Sequence, residues 1–106
     1  MHIISVVLGP LAPHLERIVM FYVYVLKSTK DGKLYIGYTP NLKKRFEEHN
    51  GGMVASTKPR IPFVLAYYEA YASEKDARHR ERMLKKFSGA VTHLRKRITN
   101  SVILSK

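Results

Sequence analysis

Two short, mainly apolar runs flank an Asp-Gly pair. The runs are Phe21–Lys27 and Lys33–Tyr38, and Asp31-Gly32 between them is a favoured sequence for a tight turn. The pattern therefore predicts a β-hairpin. A third run, Phe63–Tyr71, is rich in aromatic and β-branched residues and predicts another strand. If its side chains alternate strictly, one face of this strand carries Phe63, Leu65, Tyr67, Glu69 and Tyr71.

Residues that start and stop helices predict two helices, one before and one after the third strand along the chain. The first has Thr39 as its N-cap and Pro40 in its first position, and it ends near Asn50, before two glycines. The second follows Ser73–Asp76, which resembles a capping box, and it ends near Phe87. Apolar residues at helical spacing lie inside both segments.

A last helix over about Ala90–Ile98 completes the pattern, and no element is predicted beyond it. We therefore expect an α/β fold in which about three helices pack against a three-stranded, mainly antiparallel sheet. This domain is predicted to span residues 21–98. Residues 1–20 are expected to be an N-terminal extension outside the native domain, with Met20 as the native start, and residues 99–106 a C-terminal tail.

The composition limits the class of protein. The chain has 106 residues, of which 45% are apolar, enough for one modest core. It contains no cysteine, which excludes disulfides, thiolate nucleophiles and thiolate metal sites and agrees with the cytoplasm, the localisation we expect. No segment approaches the roughly 18 apolar residues of a membrane-spanning helix. We therefore expect no membrane partner.

The charge points to a polyanionic partner. Nineteen Lys and Arg against eight Asp and Glu give a net charge of +11, which attracts nucleic acid. Two alternatives are an anionic membrane surface and a basic surface that serves only solubility. The basic positions expected to bind nucleic acid are Lys43, Lys44, Lys58, Arg60, Arg78, Arg82, Lys85 and Lys86.

Glu81 is the only acid within residues 78–86, and it lies one helical turn from both Ala77 and Leu84. A carboxylate on this core-facing stripe needs a partner, because burial of an unpaired charge is costly. Two interpretations follow. Glu81 forms an internal salt bridge with Arg45 or another base, or it binds Mg²⁺ or Mn²⁺, which prefer oxygen ligands and commonly take one or two protein carboxylates.

Four more residues have both a structural and a chemical interpretation. Arg45 is either a solvated side chain at the edge of a helix or a planar fork that binds phosphate. His49, one turn later, either hydrogen-bonds at the surface, binds phosphate or transfers a proton. Tyr24 and Tyr35, across the hairpin, either fill the core or position and deprotonate a water, for which the site must lower a phenol pKa of about 10.

Five positions, in order, resemble the GIY-YIG endonuclease superfamily. Tyr22-Val23-Tyr24 stands where the family has Gly-Ile-Tyr, and Tyr35-Ile36-Gly37 matches Tyr-Ile-Gly. Arg45, His49 and Glu81 match the family's catalytic Arg, a frequent His and the metal-binding Glu. On this resemblance, the backbone of Gly37 is expected to leave space for close approach of a phosphate.

The resemblance covers about Phe21 to Ile98, and it is to the short stand-alone bacterial members related to the nuclease half of excision-repair enzymes. Two positions depart from the family's pattern. Tyr22 replaces the first Gly, and His93 stands where family enzymes often have Asn. A non-catalytic domain of the same fold that binds nucleic acid is therefore an alternative to an enzyme.

The resemblance implies a metal-dependent endonuclease that hydrolyses phosphodiester bonds in DNA, is selective for DNA structure, and acts in DNA repair or processing. Glu81 is then expected to bind Mg²⁺ or Mn²⁺, and Arg45 to neutralise charge on the reacting phosphate. Tyr24, with Tyr35 and His49 nearby, is expected to orient or deprotonate the attacking water.

Overall fold

The computed structural model describes residues 18–104, so the extension predicted for residues 1–20 lies almost entirely outside the described residues. Within them, three strands and four α-helices follow one another. Their bounds are β1 Phe21–Ser28, β2 Leu34–Thr39, α1 Leu42–Asn50, β3 Phe63–Tyr71, α2 Glu74–Lys86, α3 Ser88–Arg97 and α4 Thr99–Leu104. A short 3-10 helix, Lys58–Arg60, lies in the loop between α1 and β3. Every predicted strand and helix is present.

β1 is the central strand of the sheet, which has the order β2-β1-β3. It pairs antiparallel with both neighbours, which confirms the predicted α/β fold with an antiparallel sheet. Gly32 in the hairpin turn has a φ of 72°, a conformation that glycine adopts without steric cost. β1 lies between two packed layers, since its four consecutive residues 23–26 are all buried.

The two faces of the sheet pack against different helices. On one face, Val23 and Val25 contact a core formed with α2 and α3 through Ala77, Leu84 and Leu94. On the other face, Tyr24, Leu26 and Phe63 form a second core with Leu42 and Phe46 of α1. Tyr24 therefore lies on the α1 face of the central strand.

β3 does not present the single face that strict alternation predicts. Val25 pairs with Tyr67 and Leu26 pairs with Leu65, so Ala66 has no partner and forms a bulge. Because one extra residue reverses the alternation, the residues before the bulge share the α1 face with Leu26, and those after it share the α2 face with Val25. The predicted common face is therefore wrong: Phe63 and Leu65 lie on the α1 face, whereas Tyr67, Glu69 and Tyr71 lie on the α2 face.

The N-cap of α1 is Asn41 and not Thr39, so this prediction is wrong by two residues. The Asn41 side chain accepts a hydrogen bond from the backbone N–H of Lys44 at 3.1 Å. Thr39 stays in β2 opposite Tyr22, and its hydroxyl accepts from the N–H of Asn41 at 3.1 Å. Pro40 therefore lies between strand and helix and does not occupy the first helical position.

The second half of the chain follows the predicted caps. Ser73 is the N-cap of α2, and its hydroxyl accepts from the N–H of Asp76 at 3.3 Å. Beyond Ile98, where no element is predicted, α4 packs against the sheet, and Lys27 donates to the carbonyl of Val102 at 2.9 Å. None of the helices in residues 18–104 has the length and apolar content to cross a membrane.

Candidate active site

Tyr24 is almost completely buried and lies against the backbone of β2. It pairs with Gly37, and a Cβ at position 37 would stand only 2.3 Å from the Tyr24 hydroxyl oxygen. No side chain fits there without displacing the ring, so the position of the phenol requires glycine. The space beside Gly37 that the sequence suggests for a phosphate is instead filled by the ring of Tyr24.

The Tyr24 hydroxyl begins a buried chain of hydrogen bonds. Its oxygen lies 2.8 Å from Nε2 of His49, and Nδ1 of His49 lies 2.8 Å from Oγ1 of Thr57. The Thr57 hydroxyl in turn donates to the carbonyl of Val54 at 3.4 Å. Because that carbonyl can only accept, we assign Nδ1–H of His49 as the donor to Thr57 and Nε2 as the acceptor for the Tyr24 hydroxyl.

Burial keeps both ends of the Tyr24–His49 pair neutral. It raises the pKa of Tyr24 to about 12, although the Arg45 guanidinium opposes this shift. Burial also lowers the pKa of His49, and the positive charge of Arg45 lowers it further. At neutral pH the pair is therefore a phenol beside a neutral imidazole, which is the arrangement that lets a proton pass from one to the other.

Arg45 lies one turn before His49 on α1 and faces a concavity. Its Nη1 donates to Glu48 at 3.1 Å, its side chain is 37% exposed, and it interacts with the Tyr24 hydroxyl. The concavity has a volume of about 290 Å³ and is lined by Tyr38, Thr39, Pro40, Asn41, Lys44, Arg45 and Glu48. An anion in this concavity meets a guanidinium that is held beside the phenol.

Tyr35 lies beside Tyr24 and His49, and a lysine connects it with Glu81. The ring centroid of Tyr35 lies 5.0 Å from that of His49 and 6.3 Å from that of Tyr24. Lys85 links this ring to Glu81, since its Nζ lies 5.8 Å from the Tyr35 centroid and 2.9 Å from the Glu81 carboxylate. α2 thus reaches the edge strand β2. Tyr24 contacts Tyr35, His49 and Arg45, and, in addition to burial, the charge of Glu81 is close enough to raise the pKa of Tyr24.

Glu81 pairs with Lys85 and not with Arg45. The pair links successive turns of one helix and is partly exposed, and such pairs contribute about 0 to 1 kcal/mol, so a stronger cation can displace the lysine. Among the described residues, no three His, Asp or Glu side chains converge on one point. One carboxylate fits Mg²⁺ or Mn²⁺, which complete their shells with water and substrate phosphate, and does not fit a cage made only of protein ligands.

Thr57 is the site residue that the sequence does not indicate. It is fully buried at the end of a loop rich in small residues, and it is the partner that orients His49. A threonine in such a loop has no periodicity or spacing that marks it. The loop itself is held closed by Asn50, whose side chain hydrogen-bonds to both the N–H and the carbonyl of Phe63. The polar residue at the end of α1 is therefore the one sequence feature that is connected with this loop.

The predicted nucleic-acid contacts divide into paired and unpaired cations. Arg60 is held by Asp31 at 2.7 Å and by the carbonyl of Lys33 at 3.0 Å, and it lowers the pKa of Asp31 to about 2. Arg78 pairs with Glu74 and lies over the ring of Tyr38. Lys43 and Lys85 form ion pairs within their own helices. Four predicted cations are exposed and have no ion-pair partner among residues 18–104: Lys44, Lys58, Arg82 and Lys86.

Arg60 is therefore a structural residue in this fold. It joins the hairpin turn to the loop that carries Thr57, and its guanidinium also lies 5.4 Å from the ring centroid of Phe63. With two oxygen partners and an aromatic neighbour, it has less to offer a phosphate than the exposed cations.

Comparisons with known proteins confirm the family resemblance. Residues 20–98 match the GIY-YIG catalytic domain. A UPF0213 protein of Staphylococcus haemolyticus is 47% identical over 68 residues, which cover 63% of this chain and 82% of the relative. A UPF0213 protein of Clostridium perfringens is 44% identical over 70 residues, 65% of this chain and 74% of the relative. No solved structure matches the chain. The chain belongs to the GIY-YIG catalytic domain family.

Proposed function

We propose that this protein is a divalent-metal-dependent endonuclease that hydrolyses phosphodiester bonds in DNA. The observation that carries the proposal is the buried hydrogen bond between Tyr24 and His49, 2.8 Å long, beside Arg45 at a concavity on a strongly basic protein. The ring of Tyr24 leaves no room for a side chain at residue 37, so its hydroxyl is held in a fixed position beside His49 and Arg45.

Arg45 binds the scissile phosphate in this mechanism. Its guanidinium faces the concavity and is only loosely held by Glu48, so it can form two parallel hydrogen bonds to phosphate oxygens. Negative charge on those oxygens grows as water attacks phosphorus. A fixed donor aimed at that charge typically contributes a factor of about 10² to 10³ in rate.

Tyr24 and His49 handle the proton of the attacking water. With a pKa of about 12, Tyr24 is not a phenolate at neutral pH, so it cannot begin as the base. Its hydroxyl instead accepts the water's proton while it passes its own proton to Nε2 of His49. Thr57 keeps the Nδ1 proton in place, so that Nε2 is free to accept, and Tyr35 closes the opposite side of the imidazole.

Glu81 is the residue that would hold Mg²⁺ or Mn²⁺. When bound, the ion supplies Lewis acidity to the phosphate and stabilises the leaving oxygen. Glu81 has the properties this role needs, since its only ion-pair partner among residues 18–104 is a lysine on its own helix and its side chain is 20% exposed. We further propose that the enzyme is cytoplasmic and structure-selective, and that it acts in DNA repair or processing.

A second candidate function is nucleic-acid binding without catalysis. His93, at the position where family enzymes often have Asn, is exposed on α3. This variation leaves the Tyr24–His49 pair intact but removes an amide that many family members have. The alternative predicts binding of DNA with no cutting.

Incubation of purified protein with supercoiled, branched and single-stranded DNA tests the proposal. We expect cutting that requires Mg²⁺ or Mn²⁺, stops with EDTA and falls at least about 10²-fold in Arg45→Ala and Glu81→Gln. Asp76→Asn, which removes an exposed carboxylate from the first turn of α2, is the control and retains activity. Cutting that survives in both site variants, or binding without cutting, contradicts the enzyme.

A further inference from the structure

Two tyrosines form an exposed aromatic corner on the α1 face of the sheet, outside the catalytic chain. Tyr22 of β1 and Tyr68 of β3 meet edge to face, with ring centroids 5.8 Å apart and planes at 65°. Tyr68 is 50% exposed, so about half of its surface is open to a ligand. The corner borders a concavity of about 350 Å³ whose other walls are Pro40, Asn41, Leu42 and Lys43.

This aromatic corner is continuous with the concavity that Arg45 faces. Pro40 and Asn41 line both spaces and form the ridge between them. Lysines stand on both sides of the ridge, Lys43 beside the tyrosines and Lys44 beside Arg45. An extended polyanion that passes over the ridge therefore meets an aromatic surface first and the guanidinium next.

The chemistry of the corner fits an unpaired nucleotide. Exposed aromatic rings beside cations bind single strands, because every base has a face that can stack and every linkage carries a negative charge. In a duplex the bases are already stacked inside and their faces are not available. A second copy of this chain is a poor occupant, because each copy carries a net charge of +11.

We propose that Tyr68, supported edge-on by Tyr22, stacks an unpaired base next to the phosphate held by Arg45. This inference rests on the proposed endonuclease function and specifies its substrate class. The enzyme selects strands with at least one unpaired nucleotide beside the scissile bond, such as single strands, flaps and frayed ends. Lys44 holds a neighbouring phosphate, and Lys43 holds another by exchanging its exposed Glu47 partner for it.

Binding in EDTA tests this inference apart from catalysis. The probes are a labelled single-stranded DNA, the same sequence as RNA, and the fully paired duplex, each measured by fluorescence anisotropy with wild type, Tyr68→Ala, Tyr68→Phe and Phe87→Ala. Phe87 is 51% exposed at the start of α3 and is the matched control. A 2-aminopurine placed in the single strand reports stacking directly through its fluorescence.

We expect Tyr68→Ala to weaken single-strand binding about tenfold and to abolish the 2-aminopurine quenching, while duplex binding stays within about twofold. Tyr68→Phe and Phe87→Ala retain wild-type binding. Equal losses on duplex and single strand, no loss in Tyr68→Ala, or a change of oligomeric state in that variant by sedimentation overturns the inference. Tyr68-dependent binding without any cutting in Mg²⁺ leaves the stacking site standing and contradicts the endonuclease.

Discussion

At the scale of single residues, the site is organised around a phenol that burial keeps protonated. The pKa of Tyr24 rises to about 12, while the pKa of His49 falls below its ordinary value of 6.5. The same burial therefore makes the donor a weaker acid and the acceptor a weaker base, so neither group charges at neutral pH. In the proposed mechanism, proton transfer between them is therefore driven by the attack on phosphorus and not by a pre-formed phenolate.

Tyr24→Phe tests this role with little disturbance of packing. The ring keeps its place against Gly37, but the hydroxyl that joins water to His49 is lost. We expect single-turnover cleavage to fall about 10²- to 10⁴-fold, the usual contribution of a proton-transfer group. The control is Tyr67→Phe, which removes a hydroxyl that donates to Glu69 on the opposite face of the sheet. Similar rates in the two variants would contradict the assigned role.

The lowered pKa of His49 predicts how activity depends on pH on the acid side. His49 must be neutral to accept a proton, and its pKa is lowered, so activity should hold as the pH falls past 6.5 and drop only below it. The pKa of His49 is lower in the folded than in the unfolded chain, so its contribution to the free energy of unfolding is fully present above the unfolded pKa of 6.5. This contribution is lost as the pH falls through the folded pKa.

Thr57→Val removes the acceptor for Nδ1–H and should lower cleavage about 10- to 100-fold, the usual effect of deleting a partner that orients a functional histidine. Thr57→Ser should restore it. The ¹⁵N shifts of the imidazole report its tautomer, and the pH–rate profile reports its pKa in the working enzyme. A purely structural role of Thr57 would leave both unchanged. A valine variant with wild-type shifts and profile would refute the assignment.

At the scale of elements, the close contact between β1 and β2 makes glycine necessary at position 37. The glycine in α3 has no such constraint. A Cβ on Gly37 meets the Tyr24 side chain, whereas a Cβ on Gly89 in α3 meets open space. We expect Gly37→Ala to cost about 1 to 3 kcal/mol of unfolding free energy in urea, as overpacking does, and to reduce cleavage by moving the phenol. Gly89→Ala should be neutral or stabilising by up to about 1 kcal/mol. Equal effects would show that the ring shifts without cost.

The three strands and the helices up to Ile98 could be predicted because each depends on local spacing. The catalytic roles of the five site residues came from the family resemblance and stay a prediction. Tyr24, Tyr35 and Arg45 lie at positions fixed by a hairpin and by one helix that follows it. Three features could not be predicted in this way, because they depend on competition between two similar neighbouring residues or on contacts between residues far apart in the chain. Asn41 caps α1 in place of Thr39, Ala66 bulges out of β3, and Thr57 reaches His49 only once its loop has closed.

At the scale of the whole molecule, the acids are largely neutralised by the chain itself. Glu69 accepts from Tyr67, Tyr71 and Arg80 on the α2 face, and Asp31 is held by Arg60. The remaining excess of cations is exposed, so the surface attracts phosphate in any sequence. In the proposed enzyme, selectivity is therefore expected to come from the shape of the strand and from stacking on Tyr68, and not from the charge.

A double variant, Arg82→Ala with Lys86→Ala, measures this general attraction. Both cations are exposed on α2 and have no ion-pair partner among residues 18–104, so each is available to neutralise a phosphate. The plot of log affinity against log salt concentration should become shallower by about 2, one for each lost contact, with similar losses on duplex and single strand. Lys30→Ala is the control, since its ammonium already donates to the carbonyl of Pro59 at 3.0 Å. If the slope stays unchanged, these cations do not contact the backbone; if only single-strand binding weakens, α2 contributes to strand selection together with Tyr68.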